Sequence, residues 1–554
     1  MRLLCVAVVA AAVSPLGAAD LVGFTREGNT TRLRLSQGAA ELEWVTSSTF
    51  RLARCLSANC QPPRRLDRSL VDYSVADRGP GIAIRTKYLT VEVRKAGVRF
   101  EVRSNSGKEL LCETTVIEGI GNAAVLEQAA APEERYYGLG TEAADTLNLR
   151  GATISSRRPL LISSAGFGQY FPAAGQYEFD LGKTRVDRTR VTSRGTSDLE
   201  FYFYYGPSPK EILEEHRAIT GPIQSMSPRE LEVLSVETLP GDAERLPAPK
   251  AQSWEALRET VRSLNRASFT GVLVPAFDLA AFPDSGAVAR RAAQLGALLP
   301  MVYCPEGAAW EQARRSLTKE RARWTPYLLT YLQEAKDRGL PVIHPLAMQF
   351  PADAEAARHQ DAFLVGDEML VAPVLGEEAR RAVYLPMGTW TEMRTNTRHA
   401  GRQVVVVQGD AGSVPVLIRN GSIVPMGAFE DPLPMQLHYF PRLGGEFFLY
   451  EQAGGHWTQF HASPAGEFLR LEIEARARRS YEWIAHHIPA VVEVEGDGQA
   501  YEEVKEPEML RHGSWYYDKA RRNLHVRVDA EMDSDMIVNV RLPGELPPDG
   551  AGVR

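Results

Sequence analysis

Cysteines are the side chains of this sequence whose spacing most directly suggests a chemical bond. Cys55 and Cys60 are separated by four residues, and a disulfide bond between them would close a hairpin loop in an oxidising compartment. Cys5 lies in the N-terminal segment, whereas Cys112 and Cys304 are isolated. The sequence therefore contains one candidate disulfide, between Cys55 and Cys60.

Histidines could bind a metal ion if they stood in a cluster with cysteines or with one another. His486 is followed by His487, and His456 precedes His461 by five positions, but all four stand among strand-like or turn-like residues. No group of His and Cys has the spacing of a zinc site. We therefore expect these histidines to be ordinary surface residues, and we predict no metal.

The first 19 residues have the pattern of a secretory signal peptide. Arg2 gives a short positive region, residues 3–13 form an apolar segment, and the small residues within 16–19 suit cleavage before Asp20. A buried N-terminal strand is the alternative. No later apolar run reaches the roughly 18 residues that span a bilayer. We expect an exported protein, periplasmic or secreted, that does not span a membrane.

The composition is that of an ordinary globular protein, since 44% of the 554 residues are hydrophobic and 24% are charged. The length suits about three or four domains of the usual size. The formal net charge is −7. A nucleic acid or an anionic membrane needs a basic face, so the charge argues against both as partners.

The elements that position these side chains follow from hydrophobic periodicity. Short runs in which apolar and polar residues alternate predict strands from residue 20 to about 205. Together these strands indicate a β-sandwich. A helix is expected at 210–219, where Pro209 can open it and Gly221 can follow its end. From about residue 345 onward the pattern again predicts strands.

The middle of the chain has a different pattern. Strands are predicted at 230–236 and 269–274, and they alternate with helices. One helix begins at Ser253, a second spans 290–298, and a long third helix ends at Gly339. Strands that alternate with helices indicate a parallel α/β unit.

Short motifs spread over most of the chain resemble those of glycoside hydrolase family 31, the α-glucosidases and α-xylosidases. Each motif alone is short, and the resemblance rests on their occurring in the same order as in that family. The motifs are YGLGTE at 137–142, GPSPKEI at 206–212, WTPYLLTY at 324–331, GLPVIHPL at 339–346, VAP at 371–373, YLPMGTW at 384–390, IRNGSIVP at 418–425 and FFLYE at 447–451.

The resemblance implies a multidomain, β-rich fold. Its expected parts are an N-terminal β-sandwich of the galactose-mutarotase type, a truncated remnant of a (β/α)8 barrel and two C-terminal β-sandwich domains. These parts would span 20–221, 222–345, 346–432 and 433–545, with a tail at 546–554.

The barrel segment is too short for a complete barrel. A (β/α)8 barrel takes about 250 residues, whereas 222–345 contains 124. We therefore expect the first five or so barrel strands to be absent. The open sheet that remains must be covered by the flanking domains, by a second copy of the chain or by a partner.

The resemblance also implies retaining hydrolysis, which needs a nucleophilic carboxylate and a general acid/base about 5–5.5 Å apart. The family's nucleophile lies in a W-x-D-M-N-E-like motif that this sequence lacks. The acid/base position, five residues before Trp254, is Pro249. Neither Pro247 nor Lys250 can exchange protons near neutral pH as a carboxyl group does. We therefore predict a family 31-like protein of carbohydrate metabolism with no catalytic residues, which binds carbohydrate or serves as a structural subunit.

Two residues remain as candidates for substrate binding. Asp278 keeps the aspartate of a further family motif and Phe282 keeps its last residue. The ligands implied are α-linked glucosides or other oligosaccharides, and the family's chemistry uses no cofactor.

Two other hypotheses stay open. An active α-glycosidase would draw its carboxylates from Asp278, Asp284, Asp242 or Glu244, or from a partner chain, although helix capping and solvated turns are plainer roles for all four. Alternatively, the internal deletion is recent or an artefact, and the chain has no selected function.

Overall fold

The computed structural model describes residues 19–55, 69–115, 118–120, 123–140, 146–172, 176–195, 198–221, 233–234, 244–246, 253–409, 413–427, 429, 433–452 and 454–546. The chain forms two compact units, of which unit 1 contains 1–221 with 269–271 and unit 2 contains 222–268 with 272–554. In its described part the protein is β-rich and multidomain, as predicted. Residues 1–18 of the predicted signal peptide, and 547–554 of the predicted tail, lie outside the described residues.

Unit 1 contains eighteen described strands and one described helix. They are β1 (Leu21–Glu27), β2 (Thr30–Leu35), β3 (Ala39–Trp44), β4 (Thr49–Cys55), β5 (Ser74–Asp77), β6 (Gly81–Arg85), β7 (Leu89–Arg94), β8 (Phe100–Ser104), β9 (Glu109–Cys112), β10 (Glu118–Ile120), β11 (Ala123–Ala129), β12 (Tyr136–Gly138), β13 (Thr153–Ser156), β14 (Leu160–Ser163), β15 (Phe167–Tyr170), β16 (Gln176–Asp180), β17 (Arg188–Arg194), β18 (Leu199–Tyr205) and α1 (Pro209–Thr220).

The strands of unit 1 form three sheets in which neighbouring strands are antiparallel. The largest has the order β1-β2-β3-β4-β18-β15-β14-β12, and the other two have the orders β10-β11-β17-β16-β13 and β5-β6-β7-β8-β9. Alternate residues of these strands point into one apolar core, whose largest fully buried side chains include Trp44, Phe100 and Phe171. The predicted β structure of this region is therefore confirmed.

Helix α1 begins and ends where the sequence predicts, to within one residue. Ser208 caps it, because its hydroxyl accepts from the backbone N–H of Glu211 while the Glu211 carboxylate accepts from the backbone N–H of Ser208. Pro209 occupies the first turn, where no backbone donor is needed.

Unit 2 begins with a parallel sheet and its helices. These elements are β19 (Val233–Leu234), β20 (Glu244–Arg245), α2 (Trp254–Phe269), β21 (Pro275–Asp278), α3 (Gly286–Gly296), β22 (Met301–Tyr303) and α4 (Glu311–Arg338). The strand order is β19-β22-β21-β20, and each neighbouring pair is parallel. The predicted parallel α/β unit is therefore present.

The predicted strand at 269–274 is wrong. Helix α2 continues to Phe269, and the next strand, β21, begins only at Pro275. The cause is the helical spacing of Leu257, Val261 and Leu264, all fully buried, which carries the helix through the next apolar residues. Ser253 accepts from the N–H of Ala256 and caps α2 as predicted.

The remainder of unit 2 is β structure with one short helix. Its elements are β23 (Ile343–Pro345), α5 (Leu346–Gln349), β24 (Phe363–Val365), β25 (Met369–Val371), β26 (Arg380–Leu385), β27 (Thr389–Glu392), β28 (Thr397–Ala400), β29 (Gln403–Gln408), β30 (Val416–Arg419), β31 (Ser422–Met426), β32 (Met435–Phe440), β33 (Gly445–Glu451), β34 (His456–Ala465), β35 (Phe468–Ala475), β36 (Arg479–Ala485), β37 (Glu493–Gly496), β38 (Gln499–Ala500), β39 (Glu502–Glu503), β40 (Ser514–Asp518), β41 (Asn523–Ala530) and β42 (Ser534–Arg541).

These strands form four sheets. Their orders are β23-β24-β25-β30-β27-β28, β26-β29, β31-β32-β36-β41-β40-β39 and β33-β34-β35-β42-β37-β38. In the third sheet β32 pairs with β36 in parallel, whereas β36 pairs with β41 antiparallel. One continuous apolar core includes residues of α2, α3 and α4 together with residues of the last two sheets.

Helix α4 carries an unusual buried cation near its middle. The guanidinium of Arg321 is buried and donates to the carbonyl oxygens of Gly296 (3.0 Å), Leu299 (2.5 Å) and Pro300 (3.0 Å), which lie at the end of α3 and just beyond it. Burial lowers the pKa of Arg321 to about 10. The carbonyl groups at a helix C-terminus carry partial negative charge, so Arg321 closes the end of α3.

We expect Arg321→Leu to lower the free energy of unfolding of unit 2 by about 2–4 kcal/mol, since three buried carbonyl groups lose a charged donor. Urea denaturation followed by circular dichroism measures the loss. Arg315→Leu is the matched control, because Arg315 is exposed on the same helix and pairs with Glu311 at the surface. Equal, small effects of both substitutions would contradict this role of Arg321.

Candidate functional site

Asp278, a predicted substrate-binding residue, stands at the carboxyl end of β21. Its side-chain oxygen accepts a hydrogen bond of 2.8 Å from the backbone N–H of Ala280. It thereby caps the 3-10 helix Leu279–Ala281 that follows the strand. Its half-buried carboxylate therefore has a structural role as a helix cap. The sequence predicts a ligand contact for the same carboxylate.

Phe282, the second predicted substrate contact, lies in the core. Its side chain is only 2% exposed, and its ring packs against that of Phe277 with 5.6 Å between the ring centroids. The predicted contact between this ring and a sugar stays a prediction.

The other candidate carboxylates have different surroundings. Asp284 is exposed and immediately precedes Ser285, the residue before α3. The backbone register places Glu244 opposite Pro275, three residues before Asp278, which is about 10 Å along the strand. Asp242 lies outside the described residues. The register therefore does not bring Glu244 and Asp278 to the same level of the sheet.

The cysteines differ in oxidation state. Cys55 is disulfide-bonded, whereas Cys60 lies outside the described residues, so their pairing stays a prediction. Cys112 and Cys304 are buried free thiols. Cys304 directly follows β22, and burial raises its pKa, which disfavours the reactive thiolate.

We expect Asp278→Ala to lower the free energy of unfolding by about 0.5–1 kcal/mol, because the N–H of Ala280 loses its acceptor. Asp278→Asn keeps an acceptor oxygen and should cost less. Thermal denaturation of both variants distinguishes the two effects. A larger loss in the Asn variant than in the Ala variant would contradict the capping role.

A cavity of about 440 Å³ lies in unit 2, away from these residues. The helices α3 and α4 and the sheet that contains β32, β36 and β41 form most of its wall. Neither Asp278 nor Phe282 belongs to its lining. The lining residues are Ala293, Gln294, Ala297, Leu298, Ser316, Leu317, Glu320, Arg323, Trp324, Met393, Arg394, Ser413, Val414, Val416, Gln436, His438, Ile484, His486, Asp518, Arg521, Asn523 and His525.

Three histidines in this lining were not recognised as functional from the sequence. His486 was predicted to be an ordinary surface residue, and that prediction is wrong, because it is 4% exposed. It follows β36 directly, and its ring stacks on Phe440 with 4.2 Å between centroids. His438 on β32 is also buried, whereas His525 on β41 is partly exposed. Their alternation with apolar residues along each strand is the only signal in the sequence that could have indicated them.

A second buried polar group lies at Glu368, between β24 and β25. The hydroxyl of Tyr331 donates to Glu368 Oε2 over 2.6 Å. The hydroxyl oxygen of Tyr327 lies 2.8 Å from the same atom and 2.6 Å from the carbonyl oxygen of Val365. Tyr327 has one hydroxyl hydrogen and cannot donate to both acceptors, so a protonated Glu368 satisfies all three groups.

The electrostatics of Glu368 agree with this geometry. Burial raises its pKa to about 7, and the negative charge of Asp367 acts in the same direction, while the tyrosine hydrogen bonds oppose the shift. A pKa near neutrality is typical of a general acid. However, Glu368 is enclosed by α4 and does not line the cavity, so a structural role explains it.

The raised pKa predicts a pH dependence of stability. An unfolded glutamate has a pKa of about 4.3, so this group's stabilising contribution is complete below that pH and is lost as the pH rises through about 7. Each unit of pKa difference corresponds to about 1.4 kcal/mol. We expect Glu368→Gln, which resembles the protonated form, to reduce the loss of stability between pH 5 and pH 8.

Urea unfolding at both pH values measures this effect. Glu377→Gln is the control, because Glu377 is exposed on a loop of the same unit. If Glu368→Gln and Glu377→Gln retain the same pH dependence as the unsubstituted protein, Glu368 is not the responsible group.

Within the described residues, no helix combines the length and the apolar character needed to cross a membrane. In the same part of the chain, no group of three or more His, Cys, Asp and Glu side chains is arranged to hold a metal ion.

One family model matches the chain. It is the model of the glycosyl hydrolase family 31 C-terminal domain, and it matches residues 339–424. This segment begins at the end of α4 and contains the β23–β30 strands.

Curated relatives match longer stretches of the chain. α-Glucosidase 2 of Bacillus thermoamyloliquefaciens is 27% identical over 243 residues, which are 40% of this chain and 30% of that protein. Human neutral α-glucosidase AB is 35% identical over 114 residues, 20% of this chain and 12% of the relative. The chain therefore spans less than a third of the length of these relatives.

Solved structures share the fold. A GH31 dextranase of Flavobacterium johnsoniae complexed with glucose superposes with a TM-score of 0.82 at 14% identity, over 95% of this chain and 100% of the other. A cycloalternan-forming enzyme of Listeria monocytogenes in complex with a pentasaccharide substrate gives a TM-score of 0.81 at 14% identity, over 94% and 77%.

Proposed function

Because the chain belongs to glycoside hydrolase family 31, we propose that it acts in carbohydrate metabolism as an exported protein that binds carbohydrate without hydrolysing it. This proposal rests on the residues that stand at the family's catalytic positions. The sequence has no W-x-D-M-N-E-like motif for the nucleophile, and Pro249 stands at the acid/base position. Retaining hydrolysis cannot proceed without both carboxyl groups.

The environment of Asp278 supports the same proposal. This aspartate stands at the end of a parallel strand, where (β/α)8 enzymes place their active sites. Its carboxylate accepts from the backbone of Ala280, and Phe282 is buried in the core. A capping role for Asp278 and a core role for Phe282 are consistent with a chain that does not hydrolyse its ligand.

The parallel sheet supports an internal deletion. Among the described residues it has four strands in the open order β19-β22-β21-β20, with β19 and β20 at the ends. A closed barrel has eight strands and no ends. We propose that this sheet is a remnant of the barrel, and that the flanking domains, a second copy or a partner covers its free edges.

The proposed export has two supports. The first 19 residues have the composition of a signal peptide. In addition, Cys55 is disulfide-bonded, and stable disulfides form mainly in oxidising compartments such as the periplasm and the extracellular space.

We expect the purified protein to release no aryl alcohol from an aryl α-glucoside or an aryl α-xyloside above the rate without enzyme. Asp278→Asn and Asp284→Asn should behave in the same way, because neither carboxylate is proposed to act in catalysis. An active α-glucosidase assayed in parallel verifies the substrates. Turnover that disappears in either variant would establish the alternative, an active glycosidase with rearranged carboxylates, and would overturn the proposal.

A further inference from the structure

Strand β29 presents an apolar sequence at the edge of a two-stranded sheet. It reads Gln-Val-Val-Val-Val-Gln over 403–408, and in the part of the chain that the structure describes it pairs only with β26. Val404 is 56% exposed and Val406 is 64% exposed. Val405 and Val407 point to the opposite face, toward the core. Four consecutive β-branched residues without a charge favour an extended strand, and its free edge can accept another strand.

The hydrogen bonds at the end of the β26–β29 ladder show which residues of β29 direct their backbone groups toward β26. The N–H of Gly409 donates to the carbonyl oxygen of Ala379, the residue opposite it when the register is extended by one step. In an antiparallel ladder every second residue forms such bonds, so the odd-numbered residues of β29 bond to β26. The even-numbered residues therefore direct their N–H and C=O groups to the free edge, and they are Val404, Val406 and Gln408.

A bulge limits this edge at the start of the strand. The N–H of Arg402 donates to the carbonyl oxygen of Leu385, and Leu385 also stands opposite Gln403. Two residues of one strand thus face a single residue of the other, which is the arrangement of a β-bulge. The backbone donor of Arg402 is therefore used within its own sheet and takes no part in the free edge.

An arginine limits the edge at the other end of the strand. The guanidinium of Arg394 donates to the carbonyl oxygen of Gln408 over 3.5 Å. The part of the edge that stays open to another strand is consequently short. It consists of the backbone N–H and C=O groups of Val404 and Val406.

A second copy of β29 matches this open part by symmetry. A two-fold axis perpendicular to the sheet makes the two strands antiparallel and keeps each side chain on its own face. One such register sets Val404 of one copy opposite Val406 of the other, and therefore Val406 opposite Val404. Both pairs consist of residues whose backbone groups point to the free edge. The two pairs together would form four N–H···O=C hydrogen bonds.

The neighbouring registers use the edge less well. A register shifted by two residues in one direction sets Val404 opposite Gln408, whose carbonyl oxygen already accepts from Arg394. The opposite shift sets Val406 opposite Arg402, whose N–H is already used in the bulge. The register with two Val404–Val406 pairs is therefore the one that joins only open backbone groups.

The side chains agree with this register. On the exposed face Ala382 of β26 stands opposite Val406, and Tyr384 stands opposite Val404. Pairing of two β29 strands would therefore form two rows across four strands, each in the order Ala382, Val406, Val404 and Tyr384, with the last two from the second copy. These rows contain no charged side chain, so the valines can lose water without the burial of a charge.

We propose that β29 is a self-association interface, at which two copies of this chain pair in antiparallel fashion about a two-fold axis with Val404 of each copy opposite Val406 of the other. The contact uses the same strand in both copies, so it closes at two chains. It lies on a sheet other than the parallel one, and it is independent of the proposed function because no carbohydrate takes part in it.

Several other end strands of the unit 2 sheets fit a second copy less well. Strand β28 carries Arg398 and His399, and strands β38 and β39 have only two residues each. On β33 the backbone N–H of Tyr450 donates to Thr330 of α4, so the helix already occupies part of that edge. Strand β29 combines sufficient length, open backbone groups and exposed valines.

The expected affinity is modest. A contact made of four backbone hydrogen bonds and four valines is smaller than the roughly 1,200 Å² that a standard interface buries, and contacts of that size are typically transient. We therefore expect a dissociation constant on the order of 10–100 µM.

The first experiment measures the mass of the full chain in solution by sedimentation equilibrium between about 1 and 300 µM. We expect the mean mass to rise from that of one chain toward that of two. Val406→Lys should raise the dissociation constant about tenfold or more, because it places a charge in both apolar rows. Val492→Lys is the control, since Val492 is an exposed valine of the same unit outside β29.

Three outcomes would overturn the proposal. The mass of a single chain at every concentration would exclude a second copy and leave an extended segment of another protein as the occupant of the edge. Equal association of Val406→Lys and Val492→Lys would place the contact elsewhere. A mass that rises beyond two chains would contradict a closed two-fold contact. Circular dichroism verifies that both variants are folded, as expected for substitutions at exposed positions.

The register is tested by disulfide formation between Val404→Cys and Val406→Cys, purified separately and distinguished by an affinity tag on one of them. Directly opposite residues of a hydrogen-bonded pair have Cα atoms about 5.5 Å apart, within the roughly 4.4–6.8 Å that a disulfide spans. We expect the mixture to cross-link in a glutathione redox buffer. Each variant alone should cross-link much less, because its two cysteines are diagonal neighbours about 7–8 Å apart.

The unsubstituted protein is the control for this cross-linking, since its free thiols Cys112 and Cys304 are buried. Cross-linking of either variant with itself as efficiently as in the mixture would overturn the proposed register. Absence of cross-links in the mixture, at a concentration where sedimentation shows two chains, would overturn the pairing of β29 with itself.

Discussion

The hydroxyl groups of Tyr327 and Tyr331, about one turn apart on α4, meet at one carboxyl oxygen of Glu368. A helix joined to a β-hairpin by two hydrogen bonds to a single buried atom has little freedom to slide or rotate. The same two rings pack against Phe447 of β33, at 5.8 and 6.4 Å between centroids. Helix α4 is therefore held by two sheets at once, and the helical and β parts of unit 2 share one core.

The position of α4 determines whether the cavity exists. Its C-terminal half contains the tyrosines, while Leu317, Glu320 and Trp324, nearer its N-terminus, line the cavity opposite the sheet that contains β32, β36 and β41. The hydrogen bond from Gly427 N–H to the carbonyl oxygen of Arg323 and the bond from Tyr450 N–H to Thr330 Oγ1 fix the helix along its length. Buried Arg321 then ties α4 to the end of α3, which forms the next wall. The walls of this cavity are thus held by polar bonds as well as by packing.

Local signals in the sequence predicted the helices well. Ser253 caps α2, and Gly339 ends α4 in the left-handed conformation, φ 73°, that glycine adopts without strain. These features act within a few residues, so a single sequence reveals them. The prediction of a strand at 269–274 was wrong because a short apolar run is compatible with either a strand or the last turn of a helix. Only the packing of α2 decides between the two.

The candidate sites could not be predicted in the same way. Burial of His486 depends on strands that lie about 40 residues to either side of it, and its partner Asn396 precedes it by 90 positions. Glu368 likewise acquires its raised pKa from burial against α4, whose Tyr331 and Tyr327 stand 37 and 41 residues earlier. The resemblance to a family pointed instead to Asp278, whose motif is visible in the sequence although its carboxylate caps a helix. The family motif pointed to Asp278 directly, whereas the burial of His486 and of Glu368 follows from tertiary packing.

The carboxyl end of β21, where Asp278 stands, and the cavity of unit 2 are held in place by different residues. The segment matched by the family model, 339–424, begins at the end of α4 and contributes Phe363, Val365 and Ile418 to the shared core. The catalytic carboxylates of a glycosidase contribute nothing to that core, since charged groups at a strand end are solvated or bound to substrate. The packing of α4 against both sheets therefore does not depend on such carboxylates. The residues that hold the walls of the cavity in place, Glu368 with its tyrosines and Arg321 with its carbonyls, therefore act independently of any residue at the carboxyl end of β21.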